Sequence, residues 1–282
     1  MIIRTFGPAF AGKLFLTDKT KRPNLSEEIM VKAAFLRPID QLGRFGLFCW
    51  QAFRSLIRTP PGFGEVLRQM TRVGVESLTI VNVCAIFTSI VLTLQTAYEL
   101  MRFGAHYYIS RIVGIAFLRE IGPVFTALMI SGRIGSGIAA ELGSMQVTEQ
   151  VDALRAMGAD PFRRLVMPRV LATTVMVPAL TLIADALGIA AGMITSQVAL
   201  GVAPARYLNT CIDVLQPLDL LSGLGKGICF GMLIGLIATF IGLQTERATE
   251  AVGRSTTRAM VTCAYAILIG DFLLTKTFFL LV

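Results

Sequence analysis

The chain has 282 residues, of which 54% are hydrophobic and only 16% are charged. This composition excludes an ordinary soluble domain and predicts a membrane protein, because several uncharged runs are long enough to cross a bilayer. The net charge of +8 comes largely from the first quarter of the chain, which has no aromatic interleaving and no recognisable nucleic-acid-binding module. Anionic lipid headgroups are therefore the predicted partner of the basic residues, and nucleic acid is not.

The N-terminal quarter predicts a tail followed by helices on the membrane surface. Residues 1–40 are basic and contain no apolar run long enough to span, which predicts a cytoplasmic tail. From residue 41 to residue 58 apolar side chains recur at helical spacing between arginines, and Pro60-Pro61-Gly62 ends this pattern. A second mixed segment follows, so we predict interfacial helices over residues 41–75 and a transmembrane domain over residues 76–282.

Five apolar segments follow, each near or above the roughly 20 residues that a membrane helix needs. We predict spans at residues 77–100, 112–142, 170–200, 220–243 and 259–281. Twelve Lys or Arg residues precede the first span, and the second and fourth loops are more basic than the first and third. The positive-inside rule therefore predicts that the amino terminus and these two basic loops are cytoplasmic and that the carboxyl terminus lies outside.

The second loop contains a short amphipathic segment with helix signals at both ends. Thr148 is interpreted as the N-cap, Gly158 as the end of the helix and Asp160-Pro161 as a stop, which predicts a helix at about residues 147–159. Its apolar side consists of Val147, Val151, Leu154 and Met157. The acidic residues of its first turn suit an anionic leaflet poorly, so we expect the helix to dock in a groove of another protein. A helix that rests on the membrane surface is the alternative.

Charged residues inside the spans must face protein or water, because an unpaired ion in lipid costs several kcal/mol. Near the predicted outer surface, Arg119 is expected to meet a lipid phosphate or to snorkel, while Glu120 pairs elsewhere in the bundle. Arg133 and Glu141, deeper in the same span, are predicted to be ion-pair residues in the bundle interior. Further candidates for buried charges are Asp185, Lys226 and Asp271.

Small residues recur along one side of the fourth predicted span. Gly223, Gly227, Gly231 and Gly235 are four residues apart, so a neighbouring backbone can approach this side closely. Tight packing within one bundle and movement of helices during a transport cycle both account for such a stripe.

No catalytic set is present in the sequence. There is no phosphate-binding loop, no dinucleotide-binding turn, and no HExxH or GxSxG motif. One histidine and five scattered cysteines do not have metal-ligand spacing, so no metal site is predicted. We therefore expect a chain that is not an enzyme, has no cofactor of its own and needs another subunit for any energy-coupled function.

A set of short motifs occurs in order across residues 41–282. It consists of Leu118-Arg119-Glu120-Ile121-Gly122-Pro123-Val124, Gly132-Arg133-Ile134-Gly135-Ser136, Thr148-Glu149-Gln150, Asp160-Pro161, Pro168-Arg169, Ser255-Thr256-Thr257-Arg258 and Gly270-Asp271-Phe272. The set resembles the MlaE/YrbE-type permeases, the membrane subunits of ABC systems that move lipids with MCE-domain proteins.

This resemblance implies an all-α integral membrane protein with an amphipathic interfacial elbow helix, five transmembrane helices and a cytoplasmic coupling helix between the second and third. It implies a homodimer in the inner membrane, with a periplasmic carboxyl terminus, bound to a cytoplasmic ABC ATPase that holds ATP and Mg. It also implies a periplasmic MCE-domain protein as partner. The implied function is to move phospholipid or a related lipid between the inner membrane and that protein's channel.

The resemblance also implies roles for individual residues. Those assigned to coupling with the ATPase are Glu149, Gln150, Asp152, Leu154, Met157, Gly158, Asp160 and Pro161. Those assigned to lining or bracing a lipid cavity are Leu94, Gln95, Leu118, Arg119 and Glu120.

Two other classes of function are consistent with the residues alone. The first is an ion- or proton-coupled secondary carrier that uses Glu120, Asp185 and Asp271 as a relay. The second is a membrane scaffold that binds partners but has no lipid cavity.

Overall fold

The computed structural model describes residues 25–58, 60–105 and 108–281, and every regular element within these ranges is a helix. Contacts divide the chain after residue 47 into two compact units, and the unit that begins at Phe48 contains all the spans. Residues 1–24 of the predicted tail lie outside the described residues. The remainder of that tail belongs to helix α1 (Leu25–Arg58), which ends just before the predicted break.

Five helical segments are long and apolar enough to cross a membrane: Phe63–Arg102, Ile109–Val147, Phe162–Leu200, Pro217–Leu243 and Thr249–Phe278. They confirm the prediction of an all-α membrane protein with five spans.

All five spans begin earlier than predicted, and the difference is largest for the first, third and fifth. The first begins at Phe63 rather than residue 77, the third at Phe162 rather than 170, and the fifth at Thr249 rather than 259. Hydropathy marks only the part of a helix that faces lipid, whereas a helix continues into polar surroundings where its charged side chains find partners. Arg72, for example, pairs with Glu141 at an N–O distance of 2.6 Å.

The first span contains α2 (Phe63–Gly74) and α3 (Leu78–Arg102), which are joined by a 3₁₀ turn. The sequence-based boundary at residue 75 therefore falls inside a continuous helical segment. The other helices are α4 (Ile109–Ala116), α5 (Gly122–Ile130), α6 (Ser136–Val147), α7 (Gln150–Ala156), α8 (Met167–Leu200), α9 (Pro204–Val214), α10 (Pro217–Leu243) and α11 (Thr249–Leu281).

Helix α9 was not predicted from the sequence. It has 11 residues, too few to span, and begins with Pro204, which is favourable in the first turn of a helix because that N–H needs no partner. Tyr207 and Cys211, one turn apart, are buried side chains of this helix. Helix α9 packs against α4 and α8, so it covers the ends of the second and third spans.

The glycine stripe of α10 lies against α8. A Cβ atom at Gly227 would lie 3.0 Å from the Cα atom of Pro178, and one at Gly231 would lie 3.0 Å from the Cα atom of Thr174. Both separations are shorter than an ordinary carbon–carbon contact of about 3.5 Å or more. The stripe therefore brings the two backbones together, as predicted for tight packing within the bundle.

Replacing Gly231 with alanine should destabilise the protein by about 1–3 kcal/mol, because the added methyl group overpacks a contact between two helix backbones. Thermal unfolding of the purified protein in detergent measures this change. The matched control is Gly225→Ala on the same helix, where the nearest atom to the new Cβ is the flexible Phe278 ring at 3.6 Å. Equal unfolding temperatures for both variants would contradict the packing argument.

Candidate functional site

A widened helical turn in the second span presents the adjacent charges Arg119 and Glu120. Residues Phe117–Ile121 form a π-helical turn immediately before Gly122 and Pro123. Proline has no N–H to donate and its ring crowds the preceding turn, so the regular α-helical pattern is interrupted here. Arg119 and Glu120 contact two different residues of α10, Asp219 and Lys226.

Lys226 is the buried centre of the site, with a side chain only 2% exposed. Its ammonium donates hydrogen bonds to Glu120 Oε2 at 2.6 Å and to Thr275 Oγ1 at 2.7 Å. Asp271 Oδ1 lies 2.8 Å from the same nitrogen, and the Thr275 hydroxyl donates to Glu120 Oε1 at 3.2 Å. Two carboxylates therefore balance one buried cation, and the cluster joins the second span, α10 and α11.

A second ion pair lies beside this cluster. The Arg119 Nε donates to Asp219 Oδ1 at 2.5 Å, and Asp219 is itself buried. The other Asp219 oxygen accepts a hydrogen bond from the backbone N–H of Gln216 at 3.0 Å, as part of a capping box at the start of α10. The helix cap therefore fixes the carboxylate that holds Arg119.

A cavity of about 100 Å³ opens between these groups. Its lining includes both ion-pair centres and consists of Arg119, Glu120, Gln216, Leu218, Asp219, Ser222, Lys226, Thr275 and Phe278. The side chains of Arg119 and Glu120 are 39% and 40% exposed, whereas their partners are buried. A guanidinium has five N–H donors, so Arg119 can hold Asp219 and still contact an oxyanion from the cavity side.

The other residues predicted to contact lipid lie in different surroundings. Leu118 is buried, and its carbonyl oxygen faces Gly223 rather than the cavity. Leu94 and Gln95 are exposed on α3. Within the described part of the chain, none of these three lines the cavity beside Arg119.

The charges predicted deeper in the second span pair with different helices, not with each other. Arg133 donates to Ser77 Oγ at 2.9 Å and to Glu76 Oε2 at 3.3 Å. Glu141 pairs with Arg72 and also with the buried Arg169, at 3.0 Å.

Asp185 differs from these residues because its Oδ1 atom is buried without a hydrogen-bond partner in the described structure. It packs directly against Gly122, at the end of the π-helical turn. A side chain at that position would collide with the carboxylate, which gives Gly122 a packing role.

At the opposite ends of the second and third spans, the loop helix predicted at about 147–159 is helix α7. It is shorter than predicted, Gln150–Ala156. The proposed Thr148 cap is wrong: the Thr148 hydroxyl donates to the Ser144 carbonyl at 2.9 Å and so ends α6. Glu149 takes the position before α7 in the left-handed region, with φ 58°.

The end of α7 agrees better with the sequence. Gly158 has φ 74°, the left-handed conformation that glycine adopts most readily after a helix. Asp160, interpreted as part of the stop, has a further role, because its Oδ1 accepts the backbone N–H of Phe162 at 2.9 Å at the start of the third span. Its other oxygen accepts the Ser55 hydroxyl at 3.2 Å.

Arg247, in the fourth loop, holds α7 from the side. Its guanidinium donates to Asp152 Oδ2 at 2.6 Å and to Glu149 Oε1 at 3.2 Å. Val151 is buried beneath the helix, whereas Met157 is 74% exposed. Helix α7 is therefore anchored on one side and open on the other.

Several residues that complete these sites were given no role in a site from the sequence: Arg72, Arg169, Asp219, Arg247 and Thr275. Two of them carried a usable signal. Asp219 follows Pro217 at the start of a span, as a capping residue does, and Thr275 lies one helical turn after Asp271.

The five spans and the paired charges between them define a multi-pass membrane protein whose polar site lies within its helical bundle. A family model described as Permease MlaE matches residues 66–277. A probable ABC transporter permease protein of Rickettsia bellii is 37% identical over 244 residues, which cover 86% of this chain and 94% of that protein.

Two further relatives come from distant organisms. The intermembrane phospholipid transport system permease protein MlaE of Haemophilus influenzae is 34% identical over 239 residues, 84% of this chain and 92% of that protein. The chloroplastic protein TRIGALACTOSYLDIACYLGLYCEROL 1 of Arabidopsis thaliana is 37% identical over 215 residues, 76% of this chain and 61% of that protein. The chain belongs to the MlaE permease family, which confirms the resemblance seen in its motifs.

Replacing Lys226 with methionine should lower the free energy of unfolding by about 1–3 kcal/mol, because the partly buried carboxylates of Glu120 and Asp271 then lose the cation that they share. Replacing Arg247 with methionine breaks exposed ion pairs and should cost less than about 1 kcal/mol per pair. Thermal unfolding of both variants tests the contrast. A larger loss for Arg247→Met would contradict it.

Proposed function

We propose that this chain is the permease subunit of an ABC-type lipid transporter in the inner membrane. It moves phospholipid or a related lipid between that membrane and the channel of a periplasmic MCE-domain protein. A separate cytoplasmic ATPase, which holds ATP and Mg, supplies the energy, and the chain has no ATPase site of its own. Membership of the MlaE family and the similarity to an intermembrane phospholipid transport system permease of Haemophilus influenzae support the lipid assignment.

The observation that carries the proposal is helix α7, anchored by Arg247 and open on the side that bears Met157. A surface that a motor protein pulls must be joined directly to the helices that it moves. Helix α7 meets this condition, since it directly connects the second and third spans. The coupling surface consists of Glu149, Gln150, Asp152, Leu154, Met157, Gly158, Asp160 and Pro161.

At the other ends of these spans, the charged site suits the headgroup end of a lipid. Arg119 provides N–H donors for a phosphate, and Glu120 provides a carboxylate for an ammonium group. Acyl chains need an apolar wall, and the exposed face of α3 that includes Leu94 supplies one beside Gln95. Leu118 supports the packing of the second span on α10, because its carbonyl oxygen lies against Gly223.

The transporter contains two copies of the chain, with each amino terminus in the cytoplasm and each carboxyl terminus in the periplasm. The positive-inside pattern supports this orientation. ATP binding closes the ATPase pair, α7 transmits the movement and the lipid cavity between subunits narrows. Nucleotide biases the cycle because the two states differ in their affinity for lipid.

Reversing both acidic charges of α7, in Glu149→Lys/Asp152→Lys, should abolish coupling between ATP hydrolysis and lipid transfer in the complex with its ATPase. The matched control adds Arg247→Glu, which restores the pairing within the chain with opposite signs. If the double variant fails only because the ion pairs of Arg247 with α7 are lost, the triple variant should regain coupled lipid transfer. If α7 binds the ATPase through its acidic residues, the triple variant should remain uncoupled. The rates of ATP hydrolysis and of lipid transfer are measured in the same reconstituted complex. If the double variant retains both rates, α7 does not dock on the ATPase.

The carrier alternative is tested by dissipating the proton gradient. In the structure, Glu120 and Asp271 both contact Lys226, so they serve as counter-ions of a fixed cation. We therefore expect lipid transfer by the reconstituted complex to continue after a protonophore is added and to stop when ATP is withheld. Transfer by this chain alone, abolished by the protonophore, would favour the carrier.

A further inference from the structure

A second cavity, separate from the charged site, lies where α4 begins and α8 ends, beneath helix α9. Its volume is about 360 Å³, within the roughly 300–1,000 Å³ range of small-molecule sites. The side chains that matter for its chemistry are those of Ser110, Ser196, Arg206, Tyr207 and Thr210. Of the described residues that line it, none is acidic.

Two of these side chains have buried polar atoms without a partner. Ser196 and Tyr207 are each 1% exposed, and neither the Ser196 Oγ nor the Tyr207 hydroxyl makes a hydrogen bond in the described structure. The Thr93 hydroxyl is in the same condition and lies with Tyr207 against Gly192. Buried polar groups are rarely left unpaired in native proteins, because the loss of water is then uncompensated. A molecule bound in the cavity can supply the partner that the Ser196 and Tyr207 hydroxyls lack.

The chemistry of the lining selects an oxyanion. A hydroxyl donates to an anionic oxygen, and Arg206 adds a guanidinium that suits phosphate. Burial raises the pKa of Tyr207, so its phenol keeps its proton at neutral pH and can donate. The cavity also lies at the ends of the second and third spans, and polar headgroup regions flank the hydrocarbon core that such spans cross.

We propose that a phosphate ester binds in this cavity, with Ser196, Tyr207 and Arg206 brought together around it by the packing of α9 on the ends of α4 and α8. The same chemistry is offered by the headgroup of a membrane lipid and by a free phosphate ester. The site is distinct from the cavity beside Arg119 and does not depend on the proposed transport cycle.

The test uses the full chain, purified in detergent micelles, and follows its thermal unfolding. The probes are phosphatidylglycerol, diacylglycerol at the same mole fraction, and glycerol 3-phosphate in the buffer. All variants carry Arg119→Gln, so that the guanidinium of the charged site is not available to a phosphate. In this background, phosphatidylglycerol should stabilise the protein and diacylglycerol should not.

Tyr207→Phe should weaken the apparent affinity for the stabilising phosphate ester about tenfold, since it removes one hydrogen bond to a charged group. Ser196→Ala should also weaken the affinity for the phosphate ester, and it replaces Tyr207→Phe in the test if that variant does not fold. The control is Tyr265→Phe on α11, where the tyrosine is 64% exposed, and its affinity should be unchanged.

The free phosphate ester distinguishes the two sources. Stabilisation by glycerol 3-phosphate that Tyr207→Phe weakens assigns the site to a soluble ester, and a response to phosphatidylglycerol alone assigns it to a lipid headgroup. The proposal is overturned if diacylglycerol stabilises as well as phosphatidylglycerol. It is also overturned if phosphatidylglycerol does not stabilise the protein, or if Tyr207→Phe and Ser196→Ala both leave the affinity for the phosphate ester unchanged. Each of these results leaves the role of α7 in transport untouched.

Discussion

The pairing of the Lys226 ammonium with Glu120 and Asp271 is the interaction on which the arrangement of the spans depends. An unpaired ammonium among apolar helices is costly, and this one is almost completely buried. Only one axial register of the second span, α10 and α11 brings both carboxylates and the Thr275 hydroxyl to it. The same register places Arg119 beside the capping carboxylate of Asp219. One buried charge therefore sets the geometry of the whole cavity.

The opposite ends of the spans use charge differently. Glu141 joins Arg72 and Arg169, which ties together the first three spans; Glu141 and Arg72 are partly exposed, whereas Arg169 is buried. Helix α7 is held by Arg247 through pairs that water reaches freely. Exposed pairs contribute little stability, so they can break and re-form as a helix moves. The ion pairs therefore hold the bundle more firmly at the charged site than beside α7.

The sequence predicted the spans well because hydropathy and length alone determine which segments enter lipid. It predicted α7 through Gly158, whose left-handed conformation depends on residue type. It failed at Thr148, because a threonine that ends one helix and a threonine that begins the next have the same local pattern. The structure distinguishes them because Glu149 adopts the left-handed region, which only a few per cent of residues other than glycine do.

Sequence by itself determined which residues are charged, which segments cross the membrane and to which family the chain belongs. The tertiary structure decided which charges meet: Arg133 and Glu141 share a helix yet pair with other helices. It alone revealed the cavity beneath α9, whose lining comes from three separate helices and the loop before α9. The physical reason is that hydropathy and turn chemistry act locally, whereas an ion pair or a cavity depends on the register and rotation of helices that are distant in the chain.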